Sequence, residues 1–366
     1  MSHKIFLIAA ARPNFMKVAP LWRAMAARPE SLQPLLIHTG QHYDHNMSDV
    51  FFEDLGLPTP HVHLGVGGGS HAQQTAGVML KFEELCIQER PDMVVVVGDV
   101  NATMATAITA AKLHIPVAHV EAGLRSRDMT MPEEINRLLT DSIADLLFTP
   151  SQDADENLRA EGVAPERICL VGNIMIDSLV RSVERARSMD TCERFGLAAG
   201  RFGVVTLHRP ANVDAPDTLA RILKVLVGMD IPLVFPVHPR TRAVMRQHNL
   251  DADCGLSDSL IILADPLGYY EFMNLVVHSR VILTDSGGLQ EEATWLGIPC
   301  LTLRPNTERP VTITEGTNEL ATIDSLAAQT AAILADKWKK GRIPALWDGA
   351  TAPRIVAAIE DFLARH

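Results

Sequence analysis

Pro91-Asp92-Met93-Val94-Val95-Val96-Val97-Gly98-Asp99, followed after an alanine-rich stretch by Ile115-Pro116-Val117-Ala118-His119-Val120-Glu121, decides how this chain folds. The β-branched runs Met93–Val97 and Pro116–Val120 are too short for helices, whereas Asn101–Lys112 between them has helical patterning. The unit reads as strand, helix, strand, with the two strands parallel and close together. Asp99 and Glu121 then both stand just past the carboxyl ends of buried strands, the edge at which open α/β sheets take up ligands. Two carboxylates there outline an acid–base site. Met131-Pro132-Glu133-Glu134-Ile135-Asn136-Arg137 closes the stretch.

Toward the N-terminus, Lys4–Ala10 has a buried-strand pattern and Val18–Ala27 reads as a helix, with Ala11-Arg12-Pro13-Asn14-Phe15-Met16-Lys17 as the turn between them. Arg12 and Lys17 put two cations in that turn, either solvated or serving an anion at the helix N-terminus. Strand Leu35–Thr39 ends in the polar cluster Gly40-Gln41-His42-Tyr43-Asp44. The glycine run Gly65–Ser70 lacks the Lys-Ser/Thr pair of a Walker loop, and reads instead as a loop with Ser70 capping a helix to about Ile87. His61 and His63 alternate as on a strand and have no third ligand in view, so they read as structural rather than metal-binding. Beyond the central unit, Asp145–Thr149 is a strand, Ser151 is placed to cap a helix through Ala160, and strand Ile168–Val171 leads to a domain boundary at Gly172-Asn173.

From Arg201 the alternation restarts: strand Phe202–Thr206, helix about Ala215 to Gly228, strand Leu233–Val237, strand Leu260–Leu263, helix about Tyr269 to Val277 and strand Val281–Thr284. A second β/α domain follows from this pattern, and two such domains in tandem predict a cleft between the carboxyl edges of two sheets. His208-Arg209-Pro210 and His238-Pro239-Arg240 each follow a strand, which marks that edge as functional. Thr284-Asp285-Ser286-Gly287-Gly288-Leu289-Gln290-Glu291-Glu292-Ala293 runs from strand directly into helix. Its glycines let backbone approach a ligand closely, and the free N–H groups and dipole of the helix favour phosphate. Gly297 and Pro299 end that helix and open strand Pro299–Leu303. The loop Thr307–Thr312, with Arg309, is placed to close over the same ligand.

The 366 residues suggest two domains, and 47% hydrophobic with 21% charged residues is ordinary for a globular protein. A formal net charge of -11 argues against general nucleic-acid binding, which depends on Lys and Arg neutralising phosphates. Cys86, Cys169, Cys192, Cys254 and Cys300 are scattered and never in C-x-x-C spacing, so neither a disulfide framework nor a zinc site is expected. The N-terminus runs straight into a strand pattern, without signal-peptide features, and no run is long enough to span a bilayer. The expectation is a cytoplasmic protein without membrane partners.

Several of these motifs together resemble one family. Arg12-Pro13, Gly40-Gln41-His42, Gly98-Asp99, His119-Val120-Glu121-Ala122-Gly123-Leu124-Arg125, Pro132-Glu133-Glu134 with Asn136-Arg137, His208-Arg209, Pro236-Val237-His238-Pro239, Thr284–Ala293 and Thr307–Pro310 look like the non-hydrolysing UDP-N-acetylglucosamine 2-epimerases. The resemblance implies an α/β GT-B fold: two Rossmann-like, doubly wound parallel-sheet domains facing a central cleft. The first would span residues 1–172, joined by a C-terminal helix at 353–366, and the second 173–352. It also implies a homodimer, a UDP-sugar substrate, interconversion of UDP-GlcNAc and UDP-ManNAc, and no organic cofactor or essential metal.

The C2 hydrogen of an acetamido sugar is not adjacent to a carbonyl, so its direct removal gives an unstabilised carbanion. Loss of UDP from C1 as C2 loses its proton avoids this, and gives a 2-acetamidoglucal that must be reprotonated on the opposite face as UDP returns. By resemblance and position, Asp99, Glu121 and Glu133 form the proton-transfer set, with base and acid left open. The leaving diphosphate needs charge stabilisation, expected from Ser286, Gly287 and Gly288, with His208 and Arg12 added by resemblance. Glu292 is expected on the ribose hydroxyls by the same route, and Lys17, His238 and Arg309 complete the substrate-binding set. Ala10-Ala11-Arg12-Pro13-Asn14, Gln41-His42-Tyr43-Asp44 and His208-Arg209-Pro210-Ala211 depart from the common Gly-Thr-Arg-Pro-Glu, Gln-His-x-Glu and His-Arg-Arg-Glu. These departures bear on substrate detail and on activation by UDP-GlcNAc. Alternatives are a 2-epimerase of a UDP-2,3-diacetamido-uronic acid, a GT-B glycosyltransferase, which would have no need of the three carboxylates, and a non-catalytic UDP-sugar sensor.

Overall fold

The structure, a computed structural model, describes residues 2–10, 12–40 and 55–365, and the cluster Gln41–Asp44 lies outside them. Two compact units divide the chain: Met1–Ser178 with Ala345–His366, and Leu179–Pro344. No described helix is long and apolar enough to cross a membrane.

The first unit contains strands β1 (His3–Ala9), β2 (Leu32–His38), β3 (Val62–His63), β4 (Met93–Val97), β5 (Val117–Val120), β6 (Leu146–Thr149) and β7 (Ile168–Leu170). Its helices are α1 (Arg12–Ala26), α2 (His71–Glu89), α3 (Asn101–Lys112), α4 (Pro132–Ile143), α5 (Gln152–Ala160) and α6 (Ile174–Arg187), which runs on into the second unit. The seven strands lie in the order β3-β2-β1-β4-β5-β6-β7, and every pairing is parallel. Strand order therefore reverses between β1 and β4, the switch point at which ligands bind in doubly wound sheets. All five residues of β4 are buried, as expected of a parallel strand with both faces covered. Buried Ala102, Ala105, Ala107 and Ala110 keep α3 slim, and its Thr106 and Thr109 hydroxyls donate to the carbonyls of Ala102 and Ala105, at 2.7 and 2.8 Å, so burial leaves no hydroxyl orphaned.

Helix α1 corrects one expectation. It starts at Arg12 rather than Val18, so Arg12 and Lys17 belong to a helix and not to a turn. Pro13 explains the early start, because a proline lacking its N–H costs nothing in a first helical turn. Pro20 lies inside the same helix. The Met16 carbonyl that Pro20 leaves without its intrahelical donor accepts the Ser178 hydroxyl instead. Strand β2 likewise begins at Leu32, three residues before the expected Leu35. Pro34 demotes that segment in a sequence reading, but β3 pairs only with Ile37 and His38, so no ladder donor is needed at Pro34 on that side. Ser70 caps α2 as expected, with Gln73 completing a capping box. Ser151 stands at the start of α5 without a side-chain cap bond, and its hydroxyl is buried without a hydrogen-bond partner among the described residues.

The second unit repeats the winding with β8 (Gly203–Thr206), β9 (Leu233–Pro236), β10 (Ile261–Ala264), β11 (Val281–Thr284), β12 (Cys300–Thr302) and β13 (Asn318–Leu320), in the order β10-β9-β8-β11-β12-β13. Its pairings are also all parallel. Helices α7 (Pro216–Val227), α8 (Pro239–Gln247), α9 (Tyr269–His278), α10 (Gly287–Leu296) and α11 (Ile323–Leu334) complete it, with single-turn helices left unnumbered. Its core joins Val205, Phe235, Val281, Leu283 and Leu301 from the sheet to Leu219, Ile222, Leu223 and Leu226 of α7. The last helix, α12 (Thr351–Leu363), belongs to the first unit. Buried Asp177 accepts the Thr351 and Ala352 N–H groups at 3.0 and 2.8 Å, capping α12 from α6.

Candidate active site

Adjacent strands β4 and β5 end together, Val97 opposite Val120, so Gly98-Asp99, beside the switch point, and Glu121, one strand further along, become neighbouring turns. Glu121 has a left-handed backbone at φ +71, a conformation that costs a residue with a side chain about 1–3 kcal/mol and is concentrated at functional sites. Its carboxylate is buried. Oε2 pairs with the Lys17 ammonium from α1, whereas Oε1 has no hydrogen-bond partner among the described residues. A buried carboxylate oxygen left in that state carries a desolvation cost of about 1–3 kcal/mol or more, which a bound group presenting hydrogen would relieve. Gly98, at φ +67, is what lets these side chains meet: a Cβ there would lie 2.9 Å from Lys17 Nζ and 3.6 Å from Glu121 Oε2.

Asp99 is more open. Its Oδ2 accepts Arg137 Nε at 3.1 Å and Nη2 at 2.6 Å, and its carbonyl accepts Asn136 Nδ2 at 2.8 Å. Both donors come from α4. Glu133 lies on the first turn of α4, exposed, four residues before Arg137 and so on the same helix face. Its neighbour Glu134 is spent internally, accepting the Ser126 N–H and hydroxyl, the Arg127 N–H and Arg137 Nη1 at 2.7–2.9 Å. Lys17, expected to bind substrate, is engaged by Glu121. The Arg12 side chain lies outside what the structure describes.

In the second unit, β8 and β11 pair with Thr206 opposite Thr284, which brings the residues after each strand together. Asp285 is fully buried and accepts the backbone N–H groups of His208 (3.1 Å) and Arg209 (2.9 Å) and Asn212 Nδ2 (3.0 Å). It also faces His208 Nδ1 at 2.8 Å, while about half of the His208 side chain is exposed. Burial pushes the Asp285 carboxyl up, but His208, Asn212 and the Arg209 N–H outweigh it and hold it below the usual carboxylate range. The result is an anchored carboxylate orienting a histidine whose Nε2 is turned outward. A carboxylate immediately before a Gly-Gly helix start, on the strand beside a His-Arg turn, is the sequence signal for Asp285, visible only once β8 and β11 are known to be neighbours.

Ser286 opens α10, its N–H donating to Thr284 Oγ1 at 2.9 Å, and Gly287 and Gly288 supply the first N–H groups of the helix. A Cβ on Gly287 would fall 2.8 Å from Arg309 Nη1 and 3.1 Å from Glu308 Oε1. Arg309 is therefore brought to the helix start, and is paired there with Glu291 at 2.8 Å and Glu308 at 2.6 Å. Glu292 is buried and accepts the Tyr269 hydroxyl at 3.3 Å. Burial pushes its carboxyl up to about 7, with nearby Glu291 adding to the rise and the Tyr269 bond opposing it. His238 caps α8, its Nδ1 accepting the Arg240 N–H at 3.2 Å, so its proton sits on the outward Nε2. Among the described residues no group of three or more His, Cys, Asp or Glu is arranged to hold a metal ion.

The family model described as UDP-N-acetylglucosamine 2-epimerase matches residues 23–360. A Methanococcus maripaludis protein named UDP-N-acetylglucosamine 2-epimerase homolog is 42% identical over 319 residues, covering 87% of this chain and 88% of the relative. A Pseudomonas aeruginosa UDP-2,3-diacetamido-2,3-dideoxy-D-glucuronate 2-epimerase is 42% identical over 323 residues, with the same coverage of 87% and 88%. The crystal structure of Methanocaldococcus jannaschii UDP-GlcNAc 2-epimerase in complex with UDP-GlcNAc and UDP matches at a TM-score of 0.86 and 39% identity, covering 97% of this chain and 99% of that one. The two Rossmann-like units are thus those of the GT-B fold class. With the family model matching residues 23–360 and relatives 42% identical over 87% of its length, this chain belongs to the UDP-N-acetylglucosamine 2-epimerase family.

Proposed function

We propose that this protein interconverts UDP-GlcNAc and UDP-ManNAc by eliminating UDP and adding it back. A carboxylate takes the C2 proton, the C1–O electron pair leaves with UDP, and the 2-acetamidoglucal is reprotonated on the other face as UDP re-adds to C1. Asp99, Glu121 and Glu133 are the proton-transfer set. His208, held by Asp285, and Arg12 act at the diphosphate, with the N–H groups of Ser286, Gly287 and Gly288. Glu292 takes the ribose hydroxyls. His238 and Arg309 complete the nucleotide contacts, and Lys17 acts through its hold on Glu121. The observation that carries this reading is the pair Asp99 and Glu121 on adjacent strand ends, one carboxylate partly exposed and paired with Arg137, the other buried with an oxygen that has no partner among the described residues. A glycosyltransferase or a UDP-sugar sensor needs the phosphate-binding helix but not that pair.

The test is incubation with UDP-GlcNAc in D2O, followed by proton NMR and mass spectrometry. A UDP-ManNAc anomeric signal with deuterium at C2 is expected, and Asp99→Asn should abolish it while UDP affinity stays within about twofold. Full turnover by Asp99→Asn sinks that assignment. The 42% identity to the uronate epimerase favours a second reading, that the substrate is a UDP-2,3-diacetamido-uronic acid. Turnover of that sugar with none of UDP-GlcNAc selects it.

The protein is further proposed to work in the cytoplasm as a homodimer and without nucleic acid. Five unpaired cysteines suit a reducing compartment. Exposed Leu80 of α2, Met129, and Ile135 and Leu139 of α4 are apolar side chains that a second copy would cover. Light scattering at micromolar concentration reads the oligomer directly.

A further inference from the structure

His119 is fully buried on β5, two residues before Glu121, and belongs to none of the groups assigned above. Its Nε2 lies 2.8 Å from the Gly98 carbonyl and its Nδ1 lies 2.6 Å from Asp141 Oδ1. A carbonyl and a carboxylate are both acceptors, so both ring nitrogens donate, the pattern of an imidazolium. Asp141, on α4, accepts the Gly123 N–H at 3.0 Å through its other oxygen, which also pairs with Arg125 Nη1 at 2.7 Å. Burial pushes the Asp141 carboxyl up, and His119 and Arg125 more than reverse this, holding it ionised. Arg125 is fixed in turn by Glu161, at 2.8 and 2.7 Å.

One carboxylate thus ties down both turns of the site. Through His119 it holds the Gly98 carbonyl, and with it the peptide that leads into Asp99. Through the Gly123 N–H it holds the turn that begins at Glu121, where Glu121 and Gly123 both have left-handed backbones. The same helix grips Asp99 from its other side with Asn136 and Arg137. The spacing of the turns that carry these two members of the proton-transfer set is therefore fixed by contacts from α4, beneath the turns, while Lys17 of α1 holds the Glu121 carboxylate itself.

We infer that His119 and Asp141 are a positioning pair that fixes Asp99 and Glu121 relative to each other for transfer on opposite faces of C2. The inference rests on the epimerase reading, and wild-type exchange in D2O tests that reading separately. The variants are His119→Gln, which keeps one donor, and the near-isosteric Asp141→Asn. A misplacement on the order of 1 Å can cost about 100-fold in rate. Each variant is expected to lose about 100-fold in kcat, with KM for the substrate and Kd for UDP within about threefold and a cooperative thermal transition retained. The ratio of deuterium returned to substrate against deuterium in the epimer should also shift, because the two faces are no longer served equally. A purely structural role would leave that ratio unchanged. The inference is overturned if either folded variant keeps kcat within threefold of wild type. It is also overturned if kcat falls only in proportion to the folded fraction with an unchanged deuterium ratio. Should His119→Gln not fold, Asp141→Asn alone decides by the same criteria.

Discussion

Replacing Glu292 by Gln should stabilise the ligand-free protein at alkaline pH while weakening its grip on UDP. The Glu292 carboxyl is lifted from 4.5 to about 7 by burial, and at about 1.4 kcal/mol per pKa unit the rise comes to about 3 kcal/mol. Because the folded pKa is the higher one, the unfolded chain ionises first. The stability from the protonated carboxyl is fully present below pH 4.5 and is lost as pH rises to about 7. Gln has no proton to lose and preserves the shape of the protonated acid, so it removes this dependence. At pH 8 the variant should be more stable by up to about 3 kcal/mol, raising the transition of the second unit by several degrees, and at pH 4.5 the difference should vanish. The assay is thermal unfolding of both proteins across pH 4.5 to 8.5. A stability difference independent of pH, or one favouring wild type at pH 8, refutes the reasoning. In the proposed role, ribose hydroxyls donate to the ionised carboxylate, so UDP binding to wild type should release protons near pH 6.5. Titration calorimetry in two buffers of different ionisation enthalpy reads that release, and Glu292→Gln should remove the carboxyl's share of it, leaving only the part that comes from the UDP phosphate, whose second pKa is about 6.

Asp285→Asn keeps the shape of the buried side chain but weakens the hold on His208, and a histidine that has lost its orienting carboxylate is expected to lose about 10²- to 10⁴-fold in kcat; steady-state rates with UDP-GlcNAc check this, and a loss below threefold removes the dyad from the mechanism. Gly287→Ala puts a methyl 2.8 Å from Arg309 Nη1 and 3.1 Å from Glu308 Oε1. It should weaken UDP binding by about tenfold, equivalent to about 1.4 kcal/mol, as measured by calorimetry with a folded control by thermal melting.

The alternating β/α pattern was readable because each element announces itself locally. Met93–Val97, Asn101–Lys112 and Val281–Thr284 coincide with β4, α3 and β11. Ser70 and Gly297 cap their helices as their residue types suggest, Gly297 with a left-handed φ of +72. Where the reading missed, prolines and polar residues misled it. Pro13 sits inside the first turn of α1 and Pro34 inside β2, and the polar Asn318-Glu319-Leu320 forms strand β13 without a hydrophobic run.

By itself the sequence determined which residues stand at the carboxyl ends of strands, because hydrophobic runs bounded by glycine and acid fix those ends within a residue or two. It also determined that a glycine-opened helix start is available for an anion. The partners of those residues were decided by tertiary structure alone. Lys17 meets Glu121 across 104 residues, His208 meets Asp285 across 77, and His119 meets Asp141 across 22. Each pairing depends on strand order and on which helix covers which turn. Strand order is set by the global packing of the sheet, with β1 beside β4 and β8 beside β11. No local periodicity records it.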